Sequence, residues 1–231
     1  MKIKQIHALL QDNANPNSNS KFFFKTGAGQ YAEGDEFIGV SVPKLRIIAK
    51  EFKSLPIADI EKLLKSQFNE ERLLALIILT EQYKKSDAQA KEELYQFYLK
   101  YLQYVNNWNL VDASAHLIVG AHLLHKDKNL LVDLAQSKNL WDRRIAIVAT
   151  WYFIRNNYLE WTFKLATMLL ADTQDLIHKA VGWMLREAGQ KNESELIAFL
   201  ETHATDMPRT MLRYAIEKLP EDMRKSYLLK K

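Results

Sequence analysis

Cysteine is absent from the chain. Its absence removes disulfides, thiol nucleophiles and every cysteine-based zinc site at one stroke, and it suits a reducing, cytoplasmic setting. Glycine and proline are scarce, at 7 and 5 of 231 residues, so there are few breakers and long helical stretches are favoured. No segment approaches the run of about 20 apolar residues that a membrane-spanning helix needs. The opening MKIKQIHALLQD has no uninterrupted apolar core, so no secretory signal is expected there. Charge of one sign is also modest. Thirty-two Lys and Arg against 28 Asp and Glu give a net +4, which suits a polyanionic partner without requiring one.

What is present is helical periodicity. Hydrophobic residues make up 48% and charged residues 26%, the balance of an ordinary globular protein, and the length allows one large domain or two small ones. From Pro43 onward apolar residues recur at three- and four-residue steps, as in Leu45, Ile48, Ala49 and Phe52, or Leu74, Ile77 and Ile78. Alternation of the strand type is nearly missing. The segments EERLLALIIL, LVDASAHLIV, DRRIAIVATW, IHKAVGWMLR and PRTMLRYAIE each begin polar and turn small and apolar. Companion helices such as IADIEKLLKS, KEELYQFYLKYL, LLVDLAQS, WTFKLATMLL and ELIAFLETH lie between them. Starts roughly 30 to 40 residues apart are the spacing of helix-pair solenoids, in which each pair buries its apolar face only by stacking on its neighbours. A non-repeating helical bundle would give the same periodicity. The expectation is therefore an all-α solenoid forming one domain over residues 1–231.

Residues 21–39 differ. They hold four of the seven glycines, three successive phenylalanines and the run Tyr-Ala-Glu-Gly-Asp-Glu-Phe, which predicts a loop with an aromatic plug tying the first helix to the array. The run Gly27 to Ala32 formally matches a dinucleotide-binding fingerprint, but no βαβ unit surrounds it and no P-loop lysine follows.

His116, His122 and His125 have helix-compatible spacing, yet no acidic partner faces them and the HExxH pattern is missing, so no metal or other cofactor is expected. Ser114 lacks the flanking glycines of a nucleophile elbow. More informative is Asn106-Asn107-Trp108-Asn109-Leu110-Val111-Asp112. Trp108 and Asp112 are four apart and share a face if this is helix, while Leu110 and Val111 face the core. Trp141-Asp142-Arg143-Arg144 and Lys179-Ala180-Val181-Gly182-Trp183-Met184-Leu185-Arg186 open or occupy later repeats. Gly182 inside a helix costs about 1 kcal/mol relative to alanine, so it points to close approach of another surface. Taken singly, each has a plainer reading: tryptophans as core, aspartate as a helix cap, arginines as solvated surface. Taken together, equivalent helices of consecutive repeats would line one concave face and gather aromatics, a carboxylate and cations.

These blocks resemble the AlkD-type family of HEAT-like repeat DNA alkylation-repair glycosylases. The likeness runs from GVSVPKLR through NNWNLVD, WDRRIAIVA, DLIHKAVGWMLREAG and MPRTMLRYAIEKLP, nearly the whole chain. The resemblance implies a HEAT-like α-solenoid that holds duplex DNA on its concave face. It further implies hydrolysis of the N-glycosidic bond of cationic alkylated purines such as 3-methyladenine and 7-methylguanine, without full base flipping; no cofactor or metal is expected, and a cytoplasmic monomer is. By position it implies Asp112 as the catalytic carboxylate and Trp108 and Trp183 as sugar-facing aromatics. Arg144 becomes the phosphate anchor, with Arg143 its alternate and Lys179 and Arg186 as further DNA-facing cations. Early DNA contacts fall on Ser41, Val42 and Arg46, where the apolar Val42 departs from a hydrogen-bonding pattern and the loop Lys25–Gly34 looks inserted. The competing reading is a non-catalytic scaffold of the same fold that binds nucleic acid or protein.

Overall fold

The fold was obtained as a computed structural model, which describes residues 2–229. Contacts between residues cluster into two compact units, Met1–Ser114 and Ala115–Lys231, each with its own core. Among the described residues there is no strand; an isolated parallel bridge pairs Glu36 with Phe68. No helix among them is long and apolar enough to cross a membrane.

The first unit runs through α1 (Lys2–Asp12), α2 (Ser20–Phe23), α3 (Val42–Glu51), α4 (Ile57–Leu64), α5 (Asn69–Lys85), α6 (Ala88–Lys100), a 3-10 turn (Leu102–Tyr104) and α7 (Trp108–Ala115). Its spine is α5. Every residue from Asn69 to Thr80 is buried, because α3 and α4 pack on it as well as α6. A helix apolar on all sides belongs inside, and here the neighbours surround it. Glu70 and Glu71 complement the positive end of the helix dipole, and Lys84 and Lys85 the negative end. The buried Thr80 hydroxyl is satisfied by the Ile77 carbonyl at 2.8 Å. The side chain of Asp87 caps α6 by accepting from Ala90 N–H at 2.9 Å.

The second unit comprises a π-helical turn (His116–Gly120), α8 (Ala121–Leu123), α9 (Asn129–Ala135), α10 (Leu140–Arg155), α11 (Glu160–Met168), α12 (Asp175–Lys191), α13 (Glu193–His203), α14 (Arg209–Ala215) and α15 (Glu221–Leu229). Here α10 repeats the design of α5, with Arg144 to Thr150 continuously buried between α9, α11 and α12. The Asn139 side chain caps it by accepting from Trp141 N–H, and Asn192 does the same for α13 through Glu195 N–H.

The repeat is visible in two glycines. A Cβ on Gly120 would lie 2.2 Å from the Ala149 carbonyl oxygen, and one on Gly182 would lie 2.5 Å from the Met211 carbonyl oxygen. Each glycine also abuts the Cβ of a tyrosine, Tyr152 and Tyr214 respectively. The partners fall 29 and 32 residues later in both cases, so the same contact recurs between successive helices. This accounts for the glycine in the middle of α12, and the all-α helical-repeat class is the one the sequence predicts.

The stretch 21–39 is more structured than a plug. Phe24 stacks on Phe37 (centroids 4.7 Å apart, planes 18°), but Phe22 and Phe23 on α2 remain 89% and 62% exposed. Successive helical side chains fan about 100° apart, so three adjacent phenylalanines cannot share one buried face. The base of the loop is tied to α5: Glu70 accepts from Ile38 N–H at 3.0 Å and Gly39 N–H at 2.7 Å.

Candidate functional site

In the first unit the short helix α7 carries Trp108 and, one turn later, Asp112, both partly exposed, while Leu110 and Val111 between them are fully buried as predicted. Asn107 sits at the helix start. Its carbonyl Oδ1 accepts from Trp108 N–H at 2.8 Å, filling a donor that the first helical turn leaves without an internal partner. Trp108 is then held on two sides. Phe24 stacks on its face (centroids 5.1 Å apart, planes 18°), so Phe37, Phe24 and Trp108 form one run of parallel rings. Its indole Nε1–H donates to Tyr31 Oη at 3.2 Å, and Phe23 meets the ring edge-on at 5.7 Å. The stretch 21–39 thus fixes the plane of Trp108, with Tyr31 contributed by the insertion-like run Lys25–Gly34.

Beneath α7 lies a polar knot that sequence reasoning did not single out. Asp35, buried, accepts from Arg72 Nη2 at 2.5 Å, Asn107 Nδ2 at 2.8 Å and Asn69 Nδ2 at 3.1 Å. Asn109 Nδ2 donates to Asn69 Oδ1 at 2.7 Å. The visible signal was the unusual density of asparagines in Asn106-Asn107-Trp108-Asn109, three amides around one aromatic at a helix start.

The early contact residues Ser41, Val42 and Arg46 are exposed at the beginning of α3. Ser41 stands just before the helix, and Val42 and Arg46, four apart, share a face. Val42 is 46% exposed, so the apolar departure noted in the sequence lies at the surface.

In the second unit Trp183 is partly exposed on α12. Its indole Nε1–H donates to Glu187 Oε1 at 3.2 Å, and Trp151 of α10 packs edge-on against it at 4.9 Å. His116 lies 4.5 Å from Trp151, completing an imidazole–indole–indole row. Trp151 is a member of this cluster that the sequence reading passed over, although it stands 32 residues before Trp183, the interval of the glycine contacts.

The cations of this unit are placed less simply than expected. Arg144 is buried, 5% exposed, and its Nη1 donates to the Leu176 carbonyl at 2.5 Å. Arg143 is committed to structure. It pairs with Asp172 at 2.5 Å and donates to the carbonyls of Ser137 and Lys138, the same loop-holding pattern that Arg72 makes with Asp35, Ser66 and Gln67. Its guanidinium is thus already held by Asp172 and two loop carbonyls. Lys179 pairs with Asp175 at 2.8 Å and holds that carboxyl below its usual range. Arg186 pairs with Glu187 and with Glu217, whose carboxyl is lowered first by Lys218 and then by Arg186.

The three histidines have different neighbours. His116 faces Trp151, His122 Nε2 lies 2.7 Å from Lys126 Nζ, and His125 meets Tyr158 edge-on. Among the described residues no cluster of three or more His, Asp or Glu is arranged to hold a metal ion. Ser114 is buried, donating to the Leu110 carbonyl at 2.7 Å and sharing a 2.9 Å hydrogen bond with Tyr98, so its hydroxyl faces the core. Burial pushes the Tyr98 phenol far up, which keeps it neutral.

A family model described as DNA alkylation repair enzyme matches residues 6–219. No curated protein matches the chain. A solved structure described as a predicted DNA alkylation repair enzyme from Enterococcus faecalis aligns with a TM-score of 0.71 at 16% identity, covering 90% of this chain and 98% of that one. At that identity the likeness carries the fold.

Proposed function

The chain belongs to the DNA alkylation repair enzyme family, and from that premise we propose that it is a DNA glycosylase. Its substrates are positively charged alkylated purines in duplex DNA, of the 3-methyladenine and 7-methylguanine type. The observation that carries this reading is the pair on α7: an indole whose plane is fixed by Phe24 and Tyr31, with a partly exposed carboxylate one turn away.

The chemistry suits so sparse a pair. Breaking the bond between C1′ and the purine nitrogen leaves a sugar with oxocarbenium character. Most glycosidases need an acid to protonate the leaving group. A purine alkylated at N3 or N7 already carries positive charge, takes the bonding electrons and departs neutral, so no acid is required. Asp112 supplies negative charge beside the forming cation and orients the water that adds to C1′ as it releases a proton. The ring of Trp108 offers its electron-rich face, and Trp183 is assigned the same role; such contacts are worth about 0.5 to 2 kcal/mol each. The carboxylate is the larger contribution, since loss of one such electrostatic group costs about 10²- to 10³-fold in rate.

Arg46, exposed on α3, is assigned to the DNA backbone together with Ser41. Arg144, Lys179 and Arg186 are assigned as further phosphate contacts, which for Arg144 requires its guanidinium to serve phosphate as well as the Leu176 carbonyl. Lability of the cationic lesion, more than hydrogen bonds to the base, sets specificity, so the base need not be turned fully out of the stack as in most glycosylases.

The test is release of free bases from methylated duplex DNA by purified protein. Wild type should release 7-methylguanine and 3-methyladenine, and Asp112→Asn should release almost none while binding the same DNA. Full release by Asp112→Asn would remove the carboxylate from the mechanism. DNA binding without release by wild type would favour a non-catalytic scaffold.

A further inference from the structure

The buried carboxylate of Asp35 is more elaborate than the loop it belongs to requires. Three donors from two different helix starts converge on it: Arg72 and Asn69 from α5, and Asn107 from the entry to α7. Glu70 already ties the loop to α5 through two backbone N–H groups. A buried ion pair such as Asp35–Arg72 is a weak source of net stability, because desolvating both charges offsets most of their attraction. What such a pair does supply is a fixed direction for whatever else it binds.

The group it directs is the amide of Asn107. That amide is used at both ends. Its NH₂ donates to Asp35 Oδ2 at 2.8 Å, and its carbonyl accepts from Trp108 N–H at 2.8 Å. Turning the amide over would set its NH₂ against the Trp108 N–H and its oxygen against the Asp35 carboxylate, so both bonds would become repulsive at once. A second tether, Asn109 to Asn69, holds the other side of the same turn. The start of α7 is thereby locked, and with it the directions of Trp108 and of Asp112 one turn on.

We propose that Asp35 is a positioning residue for the Trp108–Asp112 pair, acting through the Asn107 amide. Its catalytic consequence rests on the glycosylase reading above; its structural consequence for Trp108 does not.

The hydrogen-bond logic gives a rescue experiment. Asp35→Asn has one acceptor oxygen where Arg72 and Asn107 use separate ones; with that oxygen on Arg72, its NH₂ meets the NH₂ groups of Asn107 and Asn69. Asn107→Asp keeps an acceptor for Trp108 N–H but places an acceptor against Asp35. In the double variant Asp35→Asn/Asn107→Asp the amide at 35 donates to the carboxylate at 107, whose other oxygen still caps Trp108. The polarity of the 35–107 bond is reversed and the relay to Trp108 restored, while Asn69 Nδ2 gives up its Asp35 acceptor and keeps Asn109 Oδ1 at 3.4 Å. Two readouts separate the questions. In protein labelled with 5-fluorotryptophan, the fluorine resonance of Trp108, identified as the one of five lost in Trp108→Phe, reports its setting without DNA. Single-turnover release of 7-methylguanine at saturating DNA reports the chemical step, with DNA affinity measured alongside.

Each single variant should move the Trp108 resonance and slow release by about 10²-fold, the cost of an ångström-scale misplacement, with DNA affinity little changed. The double variant should return the resonance toward wild type and recover at least tenfold of the lost rate. A double variant no better than the worse single in both readouts would overturn the proposal, as would an unmoved resonance in Asp35→Asn. If a single variant does not fold, a folded double variant with wild-type resonance supports the relay and a misfolded one refutes it. If wild type releases no base, the glycosylase reading fails, and the resonances alone still decide whether Asp35 sets Trp108.

Discussion

Gly182 sits in the middle of α12, one residue before Trp183, where a glycine is costly and must be compensated. Replacing it with alanine sets two effects against each other. Alanine is about 1 kcal/mol better than glycine in a helix interior. Against this, the new methyl carbon would lie 2.5 Å from both the Met211 carbonyl oxygen and the Tyr214 Cβ, and 3.3 Å from the Ala215 nitrogen. Ordinary carbon contacts begin near 3.4 Å, so α14 must retreat by close to an ångström. None of the three atoms is the free end of a flexible side chain: two are backbone and the third is bonded directly to it. Overpacking that forces backbone shifts costs about 1 to 3 kcal/mol. The clash is severe enough to take the upper half of that range, so the net expectation is a loss of about 1 to 2 kcal/mol.

The assay is urea unfolding of wild type and Gly182→Ala followed by far-ultraviolet circular dichroism, with Gly189→Ala as the internal reference. Gly189 lies on the same helix, but the atom its methyl would meet most closely, at 2.3 Å, is Leu196 Cδ2, the end of a rotatable side chain. There the helical preference offsets more of the strain, and the loss should be smaller than at Gly182. The midpoint of Gly182→Ala should fall without a change in slope, since the same surface is exposed on unfolding. A Gly182→Ala protein as stable as wild type would refute the reasoning, because the helix-to-helix approach that explains the glycine could not then be as close as described.

Further outcomes follow from the buried polar groups. Tyr98→Phe removes one hydrogen bond but leaves Ser114 bonded to the Leu110 carbonyl, so unfolding free energy should drop by only about 0.5 to 1.5 kcal/mol; a loss several times larger would mean that Ser114 depends on Tyr98. Arg144→Ala should lower stability by about 1.5 to 3 kcal/mol by removing a charged hydrogen bond to the Leu176 carbonyl. If Arg144 also contacts phosphate, the same variant lowers the salt-dependence slope of DNA binding by about 1, and an unchanged slope assigns it to structure alone. Tyr227 is pushed up to about 12 by burial and then by Glu201, which accepts its hydroxyl at 2.6 Å. A raised folded-state value means the contribution is whole below the unfolded value of 10 and is lost as pH rises toward 12. Stability measured across that window should therefore fall less steeply in Tyr227→Phe, and an identical fall would exclude Tyr227 as a source.

Helices were legible in this chain because their signal is local. The polar-then-apolar segments became α5, α7, α10, α12 and α14, and the glycine inside α12 pointed to the close approach found at Met211. Trp108 and Asp112 were placed on one face by a four-residue step alone, and that arithmetic needs no tertiary information. What stayed hidden depends on pairs far apart in the sequence. Nothing local distinguishes Asp35, inside a Gly-rich loop, from a solvated turn aspartate; its meaning comes from Asn107, 72 residues later, and from Arg72, 37 residues later. Glu70, Glu71 and Arg72 look like a charged first turn that suits the helix dipole, yet all three are buried: the loop 35–39 binds Glu70 and Arg72, and His7 of α1 meets Glu71 at 3.4 Å. The same blindness affects Arg143 and Arg144, which read as surface cations until Asp172 and the Leu176 carbonyl appear beside them. Helix periodicity locates the side chains proposed to face DNA, whereas the groups that hold them come from elsewhere in the chain. In the first unit that places the polar knot around Asp35, rather than the apolar core, as the part of the fold on which the setting of Trp108 and Asp112 most directly depends.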